Sequence, residues 1–187
     1  MSDPEAAGAR RVSTGSLPAS ETVQSLLDDS YARFRGVHDG ALSTVYPALS
    51  RADAGLFGLT IVGVDGQVLG SGDARAEFTL MSCAKPFVFA LAAQHHGVDR
   101  VHELVGVNAT GLAFNSIEAV ERDPRGRTNP MVNAGALATT GMLTSGESGP
   151  DWARLLEGMS RFAGRPLTLD DEVYASAAGG NQRNQAI

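Results

Sequence analysis

The feature that most constrains the fold is an Asp-Gly pair, Asp65-Gly66, which separates two runs rich in apolar and β-branched residues. The first run, FGLTIVGV, occupies residues 57–64, and the second, QVLGSGD, occupies residues 67–73. Asp-Gly readily adopts the positive φ angles that a two-residue hairpin turn needs, and β-branched residues favour strands. The pattern therefore predicts an antiparallel strand pair over about residues 56–72.

The rest of the chain is mostly helical in pattern. Apolar residues at helical spacing predict a helix that starts at Ser20, with Ser20 as its N-cap. Pro86 is tolerated only in the first turn of a helix, so a second helix should begin at about residues 82–83 and end at Gly97. Further helices are predicted over residues 133–144, over residues 152–163, and from Asp170 or Asp171 onward.

Strand candidates are scarce by comparison. Besides the hairpin, only Glu77–Leu80 has a strand-like pattern, and two or three strands are too few for a sheet of ordinary size. The chain also stops at Ala186-Ile187 without a helix-ending signal. We therefore expect an α+β fold that is incomplete in this chain and truncated at its C-terminus. Residues 1–19 lack periodicity and are expected to form a flexible tail, and residues 20–187 one portion of a single domain.

Charge and cysteine content exclude several classes of protein. The net charge is −6 and no basic cluster is present, which argues against binding to nucleic acid or to an anionic membrane. The single cysteine cannot form an internal disulfide and suits a reducing compartment, so a cytoplasmic location is expected. No apolar run is long enough for a membrane span. His95-His96 is interpreted as a helix end rather than a metal site, and no metal is predicted.

The strongest chemical signal is a serine three residues before the only lysine of the chain, in MSCAKPF. If Ser82 lies at the start of a helix, Lys85 lies one turn later on the same face. Apolar neighbours would lower the pKa of the Lys85 ammonium, and a neutral lysine can take a proton from a serine hydroxyl. Arginine could not replace it, because its guanidinium stays charged. An alternative stays open, in which the spacing of Ser82 and Lys85 occurs by chance and the Lys85 ammonium extends to solvent.

Two asparagine-containing segments could hold a polar substrate. They are TGLAFNS at residues 110–116 and TNPMVNAGA at residues 128–136. The Asn133 amide both donates and accepts hydrogen bonds, which suits an amide or amino-acid group. Its alternative role is that of an N-cap for the helix that begins there.

The order of these segments resembles the serine-dependent glutaminases. SCAKPF is followed by GLAFNS, by TNPMVNAGA and by a distal RNQAI, and Gly72-Asp73 with Phe78 matches the segment that leads into the family's Ser-x-x-Lys motif. The resemblance covers about residues 22–187. It implies a fold like the serine β-lactamases and penicillin-binding proteins, with an antiparallel sheet flanked by helices. Residues 20–187 would then be the N-terminal portion of a glutaminase-like catalytic domain.

The resemblance also implies an activity and a set of site residues. The expected reaction is hydrolysis of L-glutamine to L-glutamate and ammonia through an acyl-enzyme ester on Ser82, with Lys85 as the base. Ser82, Asn133 and Asn184 would contact the substrate, and no metal or organic cofactor is implied. Family analogy implies a homo-oligomer, a homotetramer.

Two positions differ from the family pattern. Ala177 stands where the family commonly has a glutamate that grips the substrate's amino group. Val45 stands where the family has an active-site tyrosine, with Tyr46 beside it, so that role is left unassigned. Two other interpretations stay open: an inactive glutaminase-like fragment, and a penicillin-recognising serine hydrolase. The latter would need a second lysine in a Lys-Thr-Gly motif, and this chain has none.

Overall fold

The computed structural model describes residues 18–144 and 151–182, and they belong to two compact units. The hairpin unit comprises residues 18–41 and 53–77. The helical unit comprises residues 42–52 together with the described residues from 78 onward.

The hairpin unit contains the predicted strand pair. Strand β1 (Gly58–Val62) pairs with β2 (Val68–Gly72) in antiparallel register, with Gly58 opposite Gly72 and Val62 opposite Val68. Gly66 has a φ of 85° at the turn, a value that glycine adopts without steric cost. The predicted strand pair is therefore confirmed, and these two strands are the sheet that the described residues form. The turn is longer than two residues, because residues 63–67 lie between the paired strands, and Gly66 but not Asp65 has a positive φ.

Helix α1 (Ser20–Phe34) packs against this hairpin. Val23 and Leu27, four residues apart on one face, are buried, and the Tyr31 ring on the same face stacks on Phe57 with ring centroids 5.6 Å apart. The predicted helix is confirmed, but the prediction that Ser20 is its N-cap is wrong. Ala19 occupies the cap position, and the Ser20 hydroxyl donates to Gln67 Oε1 at 2.9 Å instead of accepting from the helix backbone. Ser20 thus hydrogen-bonds to a residue distant in the sequence and not to the backbone of its own helix.

Glycine is required where α1 meets the end of β2. Gly72 has a φ of 65°, and a Cβ atom at this position would lie 2.1 Å from the Tyr31 ring. Any side chain here would displace the aromatic stack, so the small residue keeps the helix against the hairpin.

The helical unit holds the remaining helices. The helix predicted from about residues 82–83 to Gly97 is confirmed, but its α-helical part begins two to three residues later, at Lys85. A 3-10 turn, Met81–Ala84, runs directly into α2 (Lys85–His96), which ends at Gly97 with a φ of 82°. The other elements are α3 (Val98–Leu104), α4 (Glu118–Glu121), α5 (Asn133–Thr144), α6 (Trp152–Ala163), α7 (Asp171–Gly180) and a 3-10 helix, Pro47–Arg51, that contacts α7.

The core of the helical unit forms around α2. Seven buried apolar residues contact one another across α2, α3, α5 and α6: Val88, Ala92, Val101, Val105, Leu143, Leu155 and Met159. Gly158 of α6 lets that helix approach α2 closely, since a Cβ there would lie 2.7 Å from the Leu91 side chain. This packing fixes the start of α2 relative to the start of α5, and both carry predicted site residues.

Predictions for the later helices have mixed outcomes. The helix over residues 133–144 is confirmed, and α7 begins at Asp171 with the Asp170 side chain accepting from Val173 N at 3.0 Å. The helix over residues 152–163 is confirmed as α6, which buries Leu155 and Met159 but leaves Trp152 61% exposed. The strand suggested at Glu77–Leu80 is wrong. The structure has no strand there, since no neighbouring strand in the described residues forms a ladder with it.

Within residues 18–144 and 151–182, no helix combines the length and apolar character needed to cross a membrane. The α+β fold class is confirmed, since the described residues form helices and a two-stranded antiparallel sheet. The expectation that residues 20–187 are one portion of a single domain stays a prediction. The expected tail at residues 1–19 lies almost entirely outside the described residues.

Candidate active site

The predicted serine and lysine lie at the junction between the 3-10 turn and α2. Ser82 is the second residue of the turn, and Lys85 is the first residue of α2, with Pro86 next to it. Pro86 has no N–H to donate, and at this position none is needed, because the first N–H groups of a helix have no partner within the helix. The Lys85 backbone N–H donates to the Ser82 carbonyl, so the two residues are tied through the main chain.

The backbone is strained immediately before Ser82. Met81 has a φ of 45°, and no other non-glycine residue in the described part of the chain has a positive φ. A left-handed conformation costs a residue with a Cβ on the order of 1–2 kcal/mol. Residues with strained backbone angles concentrate at functional sites. The φ of Met81 therefore indicates that the surrounding structure holds the Ser82 turn in a backbone conformation that Met81 would not adopt by itself.

The Lys85 amine is held by two oxygen atoms from the segment that begins α5. Lys85 Nζ donates to Asn133 Oδ1 at 2.8 Å and to the Met131 carbonyl at 3.2 Å. Asn133 is the first residue of α5, and α5 packs on α2. The structure therefore brings together two of the residues that the sequence singled out separately, although they are 48 positions apart.

A loop built on Asn129 presents the Met131 carbonyl. Asn129 Oδ1 accepts from the Met131 N–H at 2.8 Å, and its Nδ2 donates to the Asn108 carbonyl at 3.0 Å. This loop lies directly on the first turn of α5, where a Cβ at Gly135 would fall 2.1 Å from the Asn129 carbonyl oxygen. Gly135 thus sets the distance between the loop and the helix, and through it the position of the Met131 carbonyl.

Phe114 covers one side of the amine. Its ring centroid lies 5.8 Å from Lys85 Nζ, within the range of a cation–π contact. The Phe114 carbonyl accepts from the Asn133 backbone N–H at 2.8 Å, so the GLAFNS segment is fastened to the start of α5. The ring lies on one side of the amine, and the two oxygen acceptors lie on others.

Partial burial of the amine lowers the pKa of Lys85 below its ordinary value, because the charged form loses hydration. No carboxylate in the described part of the chain forms an ion pair with Lys85 to oppose this effect. A lysine in such surroundings is a better base at neutral pH than a lysine in water.

Ser82 and Lys85 are not joined by a side-chain hydrogen bond in this structure. The Ser82 side chain is exposed, and its hydroxyl has no hydrogen-bond partner among the described residues. Asn184, the other predicted substrate contact, lies outside the described residues. The roles assigned to Ser82, Lys85, Asn133 and Asn184 therefore stay predictions. The geometry described here concerns Lys85 and Asn133.

The two positions that differ from the family pattern lie near a contact between α7 and the 3-10 helix. Ala177 is half-buried on α7, and the hydroxyl of its neighbour Ser176 accepts from the Ala48 backbone N–H at 3.1 Å. Tyr46 is half-buried and directly precedes the 3-10 helix, whereas Val45 is 72% exposed.

Among the described residues, no group of three or more His, Cys, Asp or Glu side chains is placed to hold a metal ion. His95 and His96 lie in the last turn of α2, which agrees with the predicted helix end at this point.

Two features of the site were missed at the level of sequence. Phe114 lies in the GLAFNS segment, whose asparagine is the residue that suggests a polar contact, whereas the apolar neighbours predicted for Lys85 are those close to it in sequence, which include Phe87. Phe87 instead packs against Phe162, with ring centroids 5.1 Å apart. The Met131 carbonyl had no side-chain signal, because a main-chain acceptor is placed by the loop and not by its own residue type.

Comparison with known families and proteins gives a consistent result. Residues 40–187 match the family model described as Glutaminase. Over 176 residues the chain is 51% identical to Glutaminase 2 of Yersinia pestis, an alignment that covers 94% of this chain and 52% of the relative. The chain spans about half the length of the curated relatives it matches.

Solved structures agree with the sequence matches. The probable glutaminase ybaS superposes with a TM-score of 0.84 at 34% identity, covering 91% of this chain and 55% of the other. Mglu in its L-glutamate binding form, in 4.3 M NaCl, gives a TM-score of 0.78 at 33% identity, covering 88% of this chain and 38% of the other. These neighbours have the β-lactamase-like fold, which confirms the predicted fold class.

Proposed function

Because the chain belongs to the glutaminase family, we propose that it hydrolyses the side-chain amide of L-glutamine to give L-glutamate and ammonia. The observation that carries the proposal is the family match over residues 40–187, a range that includes the Ser82 turn and Lys85. The solved structure of Mglu in its L-glutamate binding form supports the choice of substrate, since L-glutamate is the product of this reaction.

In the first step of the proposed reaction, Ser82 Oγ attacks the side-chain carbonyl carbon of glutamine. Its proton passes to the neutral amine of Lys85, which must approach Ser82 Oγ for this transfer. The lowered pKa of Lys85 supports this role. As the tetrahedral intermediate collapses, the C–N bond breaks, and the ammonia that leaves takes the proton from the Lys85 ammonium.

In the second step, water attacks the ester carbon of the acyl-enzyme. Lys85 accepts a proton from the water, the bond between the ester carbon and Ser82 Oγ breaks, and Ser82 regains its proton as L-glutamate leaves. The backbone N–H of Ser82 is proposed as one donor to the developing oxyanion. The strained φ of Met81 supports a special backbone geometry at this point.

Asn133 and Asn184 are proposed as contacts to the amino-acid part of the substrate, as the family resemblance implies. Asn133 is well placed for such a role because it adjoins the Lys85 amine. An amide side chain matches the amino and carboxylate groups of an amino acid, since it can both donate and accept.

The test offers L-glutamine, a chromogenic β-lactam and buffer alone to the purified 187-residue chain, while ammonia release and colour are followed. We expect ammonia from the wild type with L-glutamine and none from Ser82→Ala, with circular dichroism spectra that agree between the two. Ammonia release that persists in Ser82→Ala would contradict the nucleophile.

The other outcomes favour the alternatives. Colour from the β-lactam without ammonia from glutamine would favour a penicillin-recognising serine hydrolase. Silence from a folded chain with both substrates would favour an inactive glutaminase-like polypeptide, and the proposal would fail for this chain.

We also propose a cytoplasmic location and self-association into a homotetramer. The single cysteine, Cys83, is exposed as a free thiol, which suits a reducing compartment. The assembly rests on family analogy alone. Cell fractionation and light scattering of the purified protein test the two statements separately.

A further inference from the structure

We propose that Asn133 is a positioning residue for the base: its side-chain oxygen, together with the Met131 carbonyl, holds the Lys85 amine in one orientation. This role is separate from contact with substrate. It rests on the proposed use of Lys85 as a base, and it concerns the resting chain before glutamine binds.

The geometry of a neutral amine explains why two acceptors matter. A neutral lysine has two N–H bonds and one lone pair in a roughly tetrahedral arrangement. Asn133 Oδ1 at 2.8 Å and the Met131 carbonyl at 3.2 Å are two acceptors, one for each N–H. When both N–H bonds are engaged, the lone pair has a single remaining direction. A lysine side chain whose lone pair already has one direction loses less conformational entropy when it accepts a proton from a donor.

The amide oxygen of Asn133 also affects which charge state of the Lys85 amine is favoured. Asn133 Oδ1 is uncharged, so it accepts from the amine without the strong preference for ammonium that a carboxylate would impose. The Phe114 ring, 5.8 Å away, adds an apolar wall. Together these groups hold the amine while leaving its neutral form accessible.

Ionisable groups on the elements packed around Lys85 do not override this arrangement. Helix α5 carries no charged residue, and His95 and His96 lie at the opposite end of α2. Glu118 and Asp123, in the segment between Phe114 and α5, pair with Arg122 and Arg127. The remaining ionisable residues on the 3-10 turn, on α3, on α6 and in the same segment form no hydrogen bond or ion pair with Lys85 in the described structure: Cys83, Asp99, Arg100, His102, Glu103, Glu121, Arg125, Arg154, Glu157 and Arg161.

The chain permits a direct test because Lys85 is its only lysine. Growth with lysine that carries ¹³C at the ε-carbon gives one labelled side chain, whose NMR shift can be followed against pH. The experiment uses the whole 187-residue chain without substrate. Dispersed amide resonances establish that each variant is folded.

Two substitutions at position 133 should move the pKa of Lys85 in opposite directions. Asn133→Asp places a carboxylate on the amine and should raise the pKa by about 1 or more. Asn133→Leu removes the acceptor at similar volume and should lower the pKa, because a hydrogen bond to the charged form is lost. A side chain that does not contact the Lys85 amine would change neither pKa in the free chain.

Asn108→Asp is the matched control. Asn108 is exposed, and its side chain makes no hydrogen bond among the described residues, so the same added charge should leave the Lys85 titration unchanged. Equal pKa values for wild type, Asn133→Asp and Asn133→Leu in folded chains would overturn the proposal.

If the variants at position 133 do not fold, a measurement on the wild-type chain still tests the proposal. A nuclear Overhauser effect between the Lys85 ε-methylene and the Asn133 side-chain amide is expected, and its absence would overturn the inference. None of these measurements requires turnover, so failure of the proposed hydrolysis and failure of the positioning role are distinguishable.

Discussion

At the residue scale, the chemistry of this chain centres on one amine. Lys85 is half-buried at the first position of a helix, contacts two neutral oxygen acceptors and an aromatic face, and has no ion-pair partner in the described part of the chain. These surroundings differ from those of a surface lysine, which pairs with a carboxylate or with water. They favour a side chain that can exist without its proton.

Replacement by arginine tests that idea most directly. In an active form of the protein, Lys85→Arg should keep the positive charge and the fold but lower kcat by at least about 100-fold, because a guanidinium cannot act as a base. Ammonia release with L-glutamine measures the effect, and thermal unfolding shows whether the fold is retained. Turnover close to that of the wild type would refute the role of Lys85 as the base.

The lowered pKa of Lys85 predicts a direction for the pH dependence. The active form is the neutral amine, so kcat/KM should rise as pH rises through the pKa of the free enzyme. Since burial lowers that pKa, the rise should occur below about 10.4, the ordinary value for lysine. A pH profile of kcat/KM checks this, and an acid limb at the ordinary lysine value would contradict it.

At the scale of elements, the site depends on how closely a loop lies on a helix. Residues 129–132 lie on the first turn of α5, and Gly135 is the residue that allows it. The contact places a backbone carbonyl opposite a side chain from α2, so the packing of α2 on α5 and the shape of the loop together define the amine site.

Gly135→Ala should therefore disturb both stability and the site. The added Cβ would lie 2.1 Å from the Asn129 carbonyl, and relief of this overlap should cost about 1–3 kcal/mol of the free energy of unfolding. Because the loop must move, the Met131 carbonyl should also leave Lys85. Chemical denaturation measures the first effect, and the titration of the labelled lysine measures the second.

Gly141→Ala is the matched control in the same helix. Nothing lies within 4 Å of a Cβ at Gly141, so alanine should stabilise the chain by about 0.5–1 kcal/mol through helix propensity alone. Destabilisation of equal size by both substitutions would show that the loop contact is not the cause.

At the scale of the whole molecule, the chain belongs to the glutaminase family and spans about half the length of the curated relatives it matches. The family's expected glutamate is absent at position 177, where the chain has alanine on α7. The family resemblance assigns the glutamate at this position to the substrate's ammonium group, and we predict that position 177 faces the substrate.

Restoring that anion should improve binding of glutamine. In an active form of the protein, Ala177→Glu should lower KM for L-glutamine about tenfold, the value of one added hydrogen bond between charged groups. Ala175→Glu, at an exposed position of the same helix, adds the same charge and should leave KM unchanged. A KM that does not respond to Ala177→Glu would show that position 177 does not face the substrate.

The sequence alone determined the elements that local chemistry controls. Asp65-Gly66 specified the hairpin, Pro86 and Gly97 bounded the helix that carries Lys85, and small residues after Asn133 specified α5, because turn geometry and helix termini depend on neighbouring residues. It also identified Lys85 and Asn133 as separate candidates. The family pattern was readable from the order of four short segments.

The arrangement of those candidates depends on contacts between segments that are distant in the sequence. Ser20 contacts Gln67 instead of capping its own helix, Phe114 rather than Phe87 lies beside the lysine, and the Met131 carbonyl, which has no sequence signature, accepts from the Lys85 amine. These contacts join residues about 30 to 50 positions apart in the chain. Their choice depends on how α2, α5 and the Asn129 loop pack, and packing is a property of the whole set of side chains and not of any one segment.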